Sequence, residues 1–373
     1  AMIPYGKQDI NQADIDAVVN VLKSDFLTQG PKIVEFENNL AIYCGAKYVK
    51  TVSSGTTALH LAYLAIGLGN GDLVWTTPNT FVATANAAKY CGADIDFVDI
   101  NPKTYNMSVD HLKEKLAQAK KNNRLPKLVV PVHFSGQSCE MKEIWKLSKE
   151  YDFAVIEDAC HALGGEYQGK KVGNCEYSDM AIFSFHPVKM ITTGEGGAIV
   201  TNNQEYDERI QLLRSHGISK DEVKFKKNDD GGWYYEQQDL GFNYRLTDIQ
   251  AALGSSQLQR LDSFVEKRQK IAMRYLNELK NIELPYQHPD VKSSWHLFVI
   301  KIKNRKKVYN DLKSQGIMSQ VHYIPVNKQP YYGCKSLENS ENYYQECLSL
   351  PIYVDLTIED QGKVIKILGK INE

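Results

Sequence analysis

The sequence predicts an α/β fold in which a mostly parallel sheet lies between layers of helices. Between residues 48 and 203, short apolar segments alternate with segments of helical periodicity, and this alternation is typical of βαβ units. Several of the apolar segments are rich in Val, Ile and Phe on both faces, as strands covered by helices on two sides must be. The pattern changes after residue 245, where we expect a smaller C-terminal α/β domain.

The larger predicted domain covers residues 1–252 and contains a seven-stranded sheet. Its strands are predicted from short Val-, Ile- and Phe-rich runs at Tyr48–Val52, Leu73–Thr76, Ile95–Val98, Leu128–His133, Phe153–Ile156, Met180–Phe185 and Ala198–Thr201. Helical spacing of apolar residues predicts helices at Thr57–Ile66, Val82–Tyr90 and Met141–Tyr151. The polar and aromatic segment Asp221–Gln238 predicts a long loop.

The smaller predicted domain covers residues 253–373. Apolar residues at helical spacing from Leu261 to Leu279 predict a long amphipathic helix. The elements expected after it are a strand at His296–Ile302, a helix at about Lys306–Gln315, a second strand near Ser319–Tyr323 and a closing helix from Glu359.

The composition argues against several classes of protein. With 373 residues, of which 43% are hydrophobic, the chain is long enough for a large core. Its formal net charge of −1 indicates no basic surface for nucleic acid. The sequence has no apolar run of about 18 residues and no signal-peptide pattern, so we expect no membrane span and a cytoplasmic location. The seven cysteines form no CxxC pair, which argues against a disulfide framework and against a metal site.

A hydroxyl-rich turn follows the first predicted strand and opens a helix. It reads Ser53-Ser54-Gly55-Thr56-Thr57. The free N–H groups and the dipole at a helix start attract phosphate, and glycine lets the backbone approach a ligand closely. An ordinary helix N-cap explains the same residues, and for this motif alone it is the favoured interpretation.

An acidic pair ends the predicted strand Phe153–Ile156, at the kind of position where open α/β sheets bind ligands. A carboxylate at Asp158 would hold a pyridine nitrogen protonated, and protonation turns such a ring into an electron sink. Capping of the following helix explains Asp158 equally well. His161, taken alone, is more often a structural histidine.

The most informative segment runs from Phe183 to Gly197. A strand ends at Ser184, and Lys189 follows among apolar residues and glycines. Partial burial lowers the pKa of a lysine, so that its neutral amine can form a Schiff base and move protons. A lone lysine is usually a surface residue, but Ser184 and the glycines leave room for a phosphate and a ring. Phe81 would stack on such a ring, although core packing explains it better when it is considered alone.

In this order, the phosphate-binding turn, the strand-end aspartate and the lysine resemble fold-type-I pyridoxal-phosphate enzymes. Along nearly its whole length the chain resembles the DegT/StrS family of sugar aminotransferases. The motifs that carry the resemblance are LTQG from Leu27, SSGTTALHLA from Ser53, TPNTFVATANA from Thr77, EDACHALG from Glu157, FSFHPVKMITTGEGG from Phe183, LLRSHGI from Leu212 and LGFNYRLTDIQAALG from Leu240.

The resemblance implies pyridoxal 5'-phosphate as the cofactor. It implies Lys189 as the catalytic residue that carries the cofactor, Asp158 on the pyridine nitrogen and His161 near the phenolic oxygen. The other cofactor contacts of the chain would be Gly55, Thr56, Thr57, Phe81 and Ser184. Asn243 would reach the phosphate from the neighbouring subunit, so the resemblance implies a homodimer with a shared active site.

Within the family, the chain is most similar to the branch of pseudaminic-acid biosynthesis, through IPYGK from Ile3, SDFLTQG from Ser24, HPVKMITTGEGG from His186 and QVHYIPV from Gln320. This similarity implies transamination of a nucleotide-linked 4-keto-6-deoxy sugar, UDP-4-keto-6-deoxy-N-acetyl-β-L-altrosamine, with L-glutamate as amino donor. The implied contacts to the nucleotide sugar are Tyr5, Asp25, Phe26, Leu27, Thr28, Gln320, Val321, His322 and Tyr323.

Three alternatives stay open at this point. Ser53–Thr57 depart from the Asn-Ser-Ala-Thr-Ser that this branch often has, which preserves phosphate binding but leaves the sugar less certain. A perosamine- or bacillosamine-type sugar 4-aminotransferase is therefore one alternative, and a non-catalytic cofactor-binding regulator on the same fold is another. For His322 and Tyr323, a solvated strand end with a role at an interface is the alternative to a substrate contact.

Overall fold

The computed structural model describes residues 1–371. Its α-helices are α1 (Gln12–Leu22), α2 (Pro31–Cys44), α3 (Gly55–Ala65), α4 (Ala83–Tyr90), α5 (Val109–Lys121), α6 (Met141–Tyr151), α7 (Gln204–Arg214), α8 (Asp248–Gln259), α9 (Leu261–Glu278), α10 (Arg305–Ser314), α11 (Glu338–Glu346) and α12 (Ile358–Ile371). Its strands are β1 (Tyr48–Val52), β2 (Leu73–Thr76), β3 (Asp94–Phe97), β4 (Leu128–Val130), β5 (Ala154–Asp158), β6 (Glu166–Tyr167), β7 (Lys170–Lys171), β8 (Met180–Ser184), β9 (Gly197–Thr201), β10 (Ile218–Ser219), β11 (Glu236–Gln237), β12 (Val291–Lys292), β13 (Phe298–Lys301) and β14 (Cys347–Leu350).

A seven-stranded sheet forms the centre of the described chain, with the strand order β1-β9-β8-β5-β4-β2-β3. β9 is antiparallel to both β1 and β8. The other neighbouring strands are parallel. Because two antiparallel steps restore the direction, β1, β8, β5, β4 and β2 all end at the same edge of the sheet. The predicted seven-stranded, mostly parallel sheet is confirmed.

Helices cover both faces of the sheet, as the apolar strands require. Successive residues of β8 point to opposite faces. Ala181 and Phe183 pack in a cluster with Phe36 of α2. Met180 and Ile182 pack on the other side in a cluster that includes Leu59 of α3 and several other residues of that helix. The two clusters hold the end of β8 in place from both sides.

The C-terminal part is an antiparallel pair of strands with helices packed on it. β13 pairs with β14, and α9, α10 and α12 contribute to the same core cluster. The predicted second strand near Ser319–Tyr323 is wrong: Gln320 forms only one isolated bridge, to Ser349. The pairing edge of β13 is taken by β14, a short apolar run that directly follows the polar helix α11. The predicted division at residue 252 falls inside α8 and stays a prediction.

Most other predicted elements lie within a few residues of their predicted bounds. The segment Asp221–Gln238 is mainly a loop, as predicted, with a short 3-10 turn at Glu222–Lys224 and a two-residue pairing of β10 with β11. Within residues 1–371, no helix combines the length and the apolar character needed to cross a membrane. The expected cytoplasmic location stays a prediction.

Candidate active site

The candidate site lies at the carboxyl edge of the central sheet. β1 leads into the turn before α3, β2 leads into the segment before α4, β5 ends at Asp158, and β8 ends at Ser184, shortly before Lys189. A cavity of about 640 Å³ opens at this edge. The predicted site residues that line it are Tyr5, Gly55, Thr56, Phe81, Asp158, His161, Ser184, Lys189, Gln320, Val321, His322 and Tyr323. The topology therefore brings together residues that are far apart in the sequence.

The turn at the start of α3 is both a helix cap and an open cradle. The Ser54 hydroxyl accepts the N–H of Thr57 at 3.0 Å, and the Thr57 hydroxyl accepts the N–H of Ser54 at 3.0 Å. The N–H groups of Gly55 and Thr56 come earlier in the helix, where a helix offers no acceptors of its own. A Cβ on Gly55 would lie 3.0 Å from the Cβ of Ser184. Glycine thus keeps open the space between the helix start and Ser184, and Thr57 serves the cap rather than the cavity wall.

Asp158 is buried, and hydrogen-bond donors of the protein occupy only part of the acceptor capacity of its carboxylate. Its Oδ2 accepts the hydroxyl of Thr84 at 2.8 Å, and its Oδ1 accepts the backbone N–H of Cys160 at 3.3 Å. A carboxylate has about four acceptor positions, so capacity remains for a ligand N–H. Its neighbour Glu157 points to the opposite face of the sheet, where His133 and the Ser178 hydroxyl bind it at 2.7 and 2.6 Å.

Lys189 lies in a loop that is anchored on both sides. Its backbone N–H donates to the carbonyl of His186 at 2.9 Å, and the next two residues, Met190 and Ile191, are buried in the core. Within residues 1–371, its side-chain amine has no hydrogen-bond or ion-pair partner. Burial lowers the pKa of Lys189, and nearby Cys160 and Asp158 oppose that shift. Covalent and proton-transfer chemistry needs the neutral amine, and a larger fraction of Lys189 is neutral at a given pH than of an exposed lysine.

His161 connects the large sheet with the C-terminal part of the chain. Its Nδ1 accepts the backbone N–H of Ser135 at 3.0 Å, and its Nε2 lies 2.9 Å from the hydroxyl of Tyr323. Burial lowers the pKa of His161 well below its ordinary value, with the Lys189 charge as a further cause. The imidazole of His161 is therefore neutral, and each of its two nitrogens has a hydrogen-bond partner.

Three buried histidines line the cavity, and they are expected to make the fold sensitive to acid. Burial lowers the pKa of His322 to about 3, and burial lowers the pKa values of His161 and His296 well below the ordinary range. The unfolded chain takes up these protons below about pH 6.5 while the folded chain does not, so stability is lost as the pH falls. Each histidine contributes a slope of about 1.4 kcal/mol per pH unit.

Urea denaturation from about pH 7 to about pH 5 checks this expectation, since linear extrapolation gives the free energy of unfolding at each pH. Over this interval the free energy of unfolding of His322→Gln should fall by about 2 kcal/mol less than that of the wild type. The reason is that the variant lacks one histidine whose pKa is lowered in the folded chain. His111→Gln, on an exposed position of α5, is the control for the removal of a histidine that is not buried. Equal slopes for His322→Gln and the wild type would contradict the assignment of a buried neutral His322.

Some predicted site residues lie away from the cavity of their own chain. Asp25, Phe26, Leu27 and Thr28 are exposed and do not line it. Asn243 is exposed too, although its neighbours Phe242 and Tyr244 form backbone hydrogen bonds with other segments. Their predicted roles therefore need a second subunit or stay predictions.

The cavity residues that the sequence reasoning missed include Thr80, Thr84 and His296. Thr84 holds Asp158 and is itself 2.8 Å from the hydroxyl of Thr80, one helical turn before it. Both threonines stand in the motif from Thr77, so the spacing of hydroxyls along it is a usable signal. His296 lies against His161 with ring centroids 4.5 Å apart. No local sequence pattern predicts that His296 lines the cavity. Within the described residues, no cluster of His, Cys, Asp or Glu is arranged to hold a metal ion.

Comparison with known proteins agrees with this geometry. The chain matches the model of the DegT/DnrJ/EryC1/StrS aminotransferase family over residues 8–369. The UDP-4-amino-4,6-dideoxy-N-acetyl-beta-L-altrosamine transaminase of Campylobacter jejuni subsp. jejuni serotype O:23/36 is 42% identical over 377 residues, covering 98% of this chain and 96% of that protein.

Two solved structures have similar folds. Helicobacter pylori PseC, an aminotransferase involved in the biosynthesis of pseudoaminic acid, superimposes with a TM-score of 0.90 at 33% identity and covers 99% of both chains. Spr1654 of Streptococcus pneumoniae, solved in a PLP form, has a TM-score of 0.90 at 27% identity and covers 100% of this chain and 99% of that chain. The resemblance and the fold class read from the sequence motifs are confirmed, and the chain belongs to the DegT/DnrJ/EryC1/StrS aminotransferase family.

Proposed function

We propose that this enzyme transfers the amino group of L-glutamate to the 4-keto group of a nucleotide-linked 4-keto-6-deoxy sugar, with pyridoxal 5'-phosphate as cofactor. The observation that carries the proposal is the meeting of Lys189, Asp158 and the cradle between Gly55 and Ser184 in one cavity. The names of the C. jejuni relative and of H. pylori PseC support UDP-4-keto-6-deoxy-N-acetyl-β-L-altrosamine as the sugar and pseudaminic-acid biosynthesis as the pathway.

The residues present fit this cofactor. The cradle has a helix start with free N–H groups and the Ser184 hydroxyl, which suit a phosphate. Glycine leaves more room there than a larger residue, because a Cβ on Gly55 would lie 3.0 Å from the Cβ of Ser184. Asp158 has acceptor capacity left for a protonated pyridine nitrogen, and Lys189 has an amine without a protein partner within residues 1–371.

The residues of the chain divide the chemical work between them. Pyridoxal phosphate, when bound, supplies an electron sink for the negative charge that forms when a C–H proton is removed. Asp158 would accept a hydrogen bond from the ring nitrogen of the bound cofactor and would keep that nitrogen protonated. The amine of Lys189 takes the proton from Cα of L-glutamate and, in the second half-reaction, gives a proton to C4 of the sugar. A positioned proton carrier of this kind contributes about 10²- to 10⁴-fold in rate.

A homodimer with a shared active site is part of the proposal. Asn243 is exposed and does not line the cavity of its own chain. Its flanking residues are fixed: Phe242 donates its N–H to the carbonyl of Leu213 at 2.8 Å, and the carbonyl of Tyr244 accepts the N–H of Ser53 at 2.9 Å. A polar side chain displayed outward on such a rigid backbone suits a contact to the phosphate in a second subunit.

Mixed dimers are expected to regain activity that the separate variants lack. Lys189→Ala removes the catalytic amine of one chain, and Asn243→Asp places a negative charge against the phosphate of the other. When both variants are mixed by refolding or co-expression, half of the dimers are hybrids with one intact site, so activity should approach about 25% of the wild type. The measurement is turnover of each variant alone and of the mixture.

The same experiment has a clear contrary outcome. If each site belonged to a single chain, the mixture would be no more active than the average of the two variants. Sedimentation of the wild type, at several protein concentrations, gives the assembly state independently.

The proposed function is tested first by absorption spectroscopy. The purified protein loaded with pyridoxal phosphate should show a band in the visible range that bleaches with L-glutamate, and Lys189→Ala should respond differently. A panel of UDP-, GDP- and TDP-linked keto sugars should then restore the band, with the UDP sugar best. A GDP sugar as best substrate would instead indicate a perosamine-type enzyme. A band that never responds to L-glutamate would leave only a cofactor-binding regulator.

A further inference from the structure

Two buried threonine hydroxyls lie at the start of α4, but they do not serve the helix. A threonine beside a helix start ordinarily caps a free N–H group, and a threonine inside a helix often bonds to the carbonyl four residues before it. In the described chain no side chain caps α4, whose N-cap residue is Val82. The hydroxyl of Thr84 instead donates to Oδ2 of Asp158 at 2.8 Å, across 74 residues of sequence.

The carboxylate of Asp158 fixes the direction of the hydrogen bonds that lead to it. A carboxylate only accepts hydrogen bonds, so the hydrogen between Thr84 and Asp158 belongs to Thr84. A hydroxyl has one hydrogen, so the Thr84 oxygen accepts from the Thr80 hydroxyl, which lies 2.8 Å away. Thr80, Thr84 and Asp158 therefore form a hydroxyl chain in which both hydrogens point toward the carboxylate.

The hydroxyl chain is shielded from water and held in place. Thr80 is 3% exposed, Thr84 is 1% exposed and Asp158 is 5% exposed, so water competes little for these hydrogen bonds. The carbonyl of Thr84 accepts the hydroxyl of Tyr63 at 2.8 Å, and this bond ties α4 to α3, the helix that opens the cradle. Hydrogen bonds in series polarise one another in such surroundings, so Thr80 strengthens the bond from Thr84 to the carboxylate.

The hydroxyl chain affects where a proton shared with the cofactor would lie. The ring nitrogen of the bound cofactor and Asp158 would share one proton in an N–H···O hydrogen bond. A hydrogen bond donated to a carboxylate stabilises its negative charge and so disfavours its protonation. Donation from Thr84 therefore favours the arrangement in which the proton is on the ring nitrogen, and this is the arrangement that makes the ring an electron sink.

We propose that Thr80 and Thr84 are positioning residues of the reaction, whose hydroxyls act in series to keep the shared proton on the ring nitrogen and off Asp158. This inference rests on the proposed function, because it concerns the cofactor proposed there. It involves the placement of one proton, with no change in any other bond. Both threonines act through the carboxylate, so their effect is on the charge of the ring.

The test uses holoenzyme loaded with pyridoxal phosphate that carries ¹⁵N in the ring, because the NMR signal of this nitrogen reports its protonation. Thr84→Val removes the hydroxyl and keeps the branched shape of the side chain. Its ¹⁵N signal should move toward that of a neutral pyridine, and bleaching by L-glutamate should slow by about 10-fold, as the loss of one hydrogen bond to a charged group predicts. Thr84→Ser retains a hydroxyl and should behave as the wild type does.

Thr80→Val tests whether the two hydroxyls act in series. This variant removes only the polarisation of the next bond, so the same half-reaction should slow by about 1.5- to 4-fold. The double variant Thr80→Val/Thr84→Val should be no slower than Thr84→Val alone, because Thr80 acts only through Thr84. Independent, multiplying effects of the two substitutions would overturn the serial arrangement.

Thr76→Val is the matched structural control. The Thr76 hydroxyl is buried in β2 and donates to the carbonyl of Val130 at 2.8 Å, away from Asp158. Its loss should lower the free energy of unfolding and leave the ¹⁵N signal of the ring at the wild-type position. An equal movement of the signal in Thr76→Val and Thr84→Val, or an unmoved signal in Thr84→Val, would overturn the proposal. Failure of the proposed function is seen separately, because the cofactor band of the wild type would then not respond to L-glutamate.

Discussion

Lys189→Ala is expected to lower the turnover number by about 10²- to 10⁴-fold, the contribution of a positioned proton carrier. The amine is the one lysine amine that lines the cavity within residues 1–371, and no protein group nearby replaces it. Burial lowers its pKa, so the group is adapted to work as a neutral base as well as a charged acid. The measurement is single-turnover bleaching of the cofactor band by L-glutamate, which reads the first half-reaction without the sugar.

Chemical rescue distinguishes this role from a structural one. Small primary amines such as methylamine should enter the cavity of about 640 Å³ and restore part of the rate in Lys189→Ala, in the order of their base strength. Lys189→Arg is the control, because it keeps the positive charge but cannot supply a neutral amine, and its side chain fills the space. A Lys189→Ala rate within about tenfold of the wild type would show that another group moves the proton.

Asp158→Asn is expected to slow the same half-reaction by about 10- to 160-fold, the equivalent of a hydrogen bond between charged groups of about 1.5–3 kcal/mol. The change keeps the size of the side chain, and the carbonyl oxygen of an asparagine can still accept the Thr84 hydroxyl, which lies 2.8 Å from Oδ2 in the wild type. What is lost is the negative charge that keeps the ring nitrogen protonated. The loss of this charge is measured by the rate of the half-reaction and, through dialysis, by the affinity for pyridoxal phosphate.

Two controls separate charge from packing. Glu157→Gln removes a carboxylate one position earlier, on the opposite face of the sheet, where Glu157 binds His133 and Ser178. It should lower stability and leave the cofactor band unchanged. A cofactor analogue whose ring nitrogen carries a permanent positive charge should recover much of the rate in Asp158→Asn. A rate that is equally low with this analogue would indicate that Asp158 acts on the fold and not on the ring.

The parts of the site that follow strands were predictable, because a strand and its end are local properties of the sequence. Asp158 and Ser184 each end an apolar run, and Lys189 stands five residues after Ser184. The fold class was predictable for the same reason. The family motifs then gave these residues specific roles.

The contacts between distant segments were not predictable in this way. His161 and Tyr323 are 162 residues apart in sequence, and their pairing depends on how the C-terminal part packs on the large sheet. The strand expected near Ser319–Tyr323 had a suitable local pattern, but β14 holds the pairing edge of β13. The role of Asn243 depends on a second chain, which no local pattern of one sequence describes.

The position of β9 has a consequence for the order in which the chain can fold. β1 is the edge strand that leads into the phosphate-binding turn, and in the described sheet it pairs with β9 alone. A chain emerging from the ribosome has therefore made β1 long before its hydrogen-bonding neighbour, Gly197–Thr201, is available. Such a non-local closure is slow and leaves an unpaired strand exposed to other chains. The N-terminal half of the molecule on its own is thus expected to aggregate. The cradle between Gly55 and Ser184 forms only when β9 pairs with both β1 and β8.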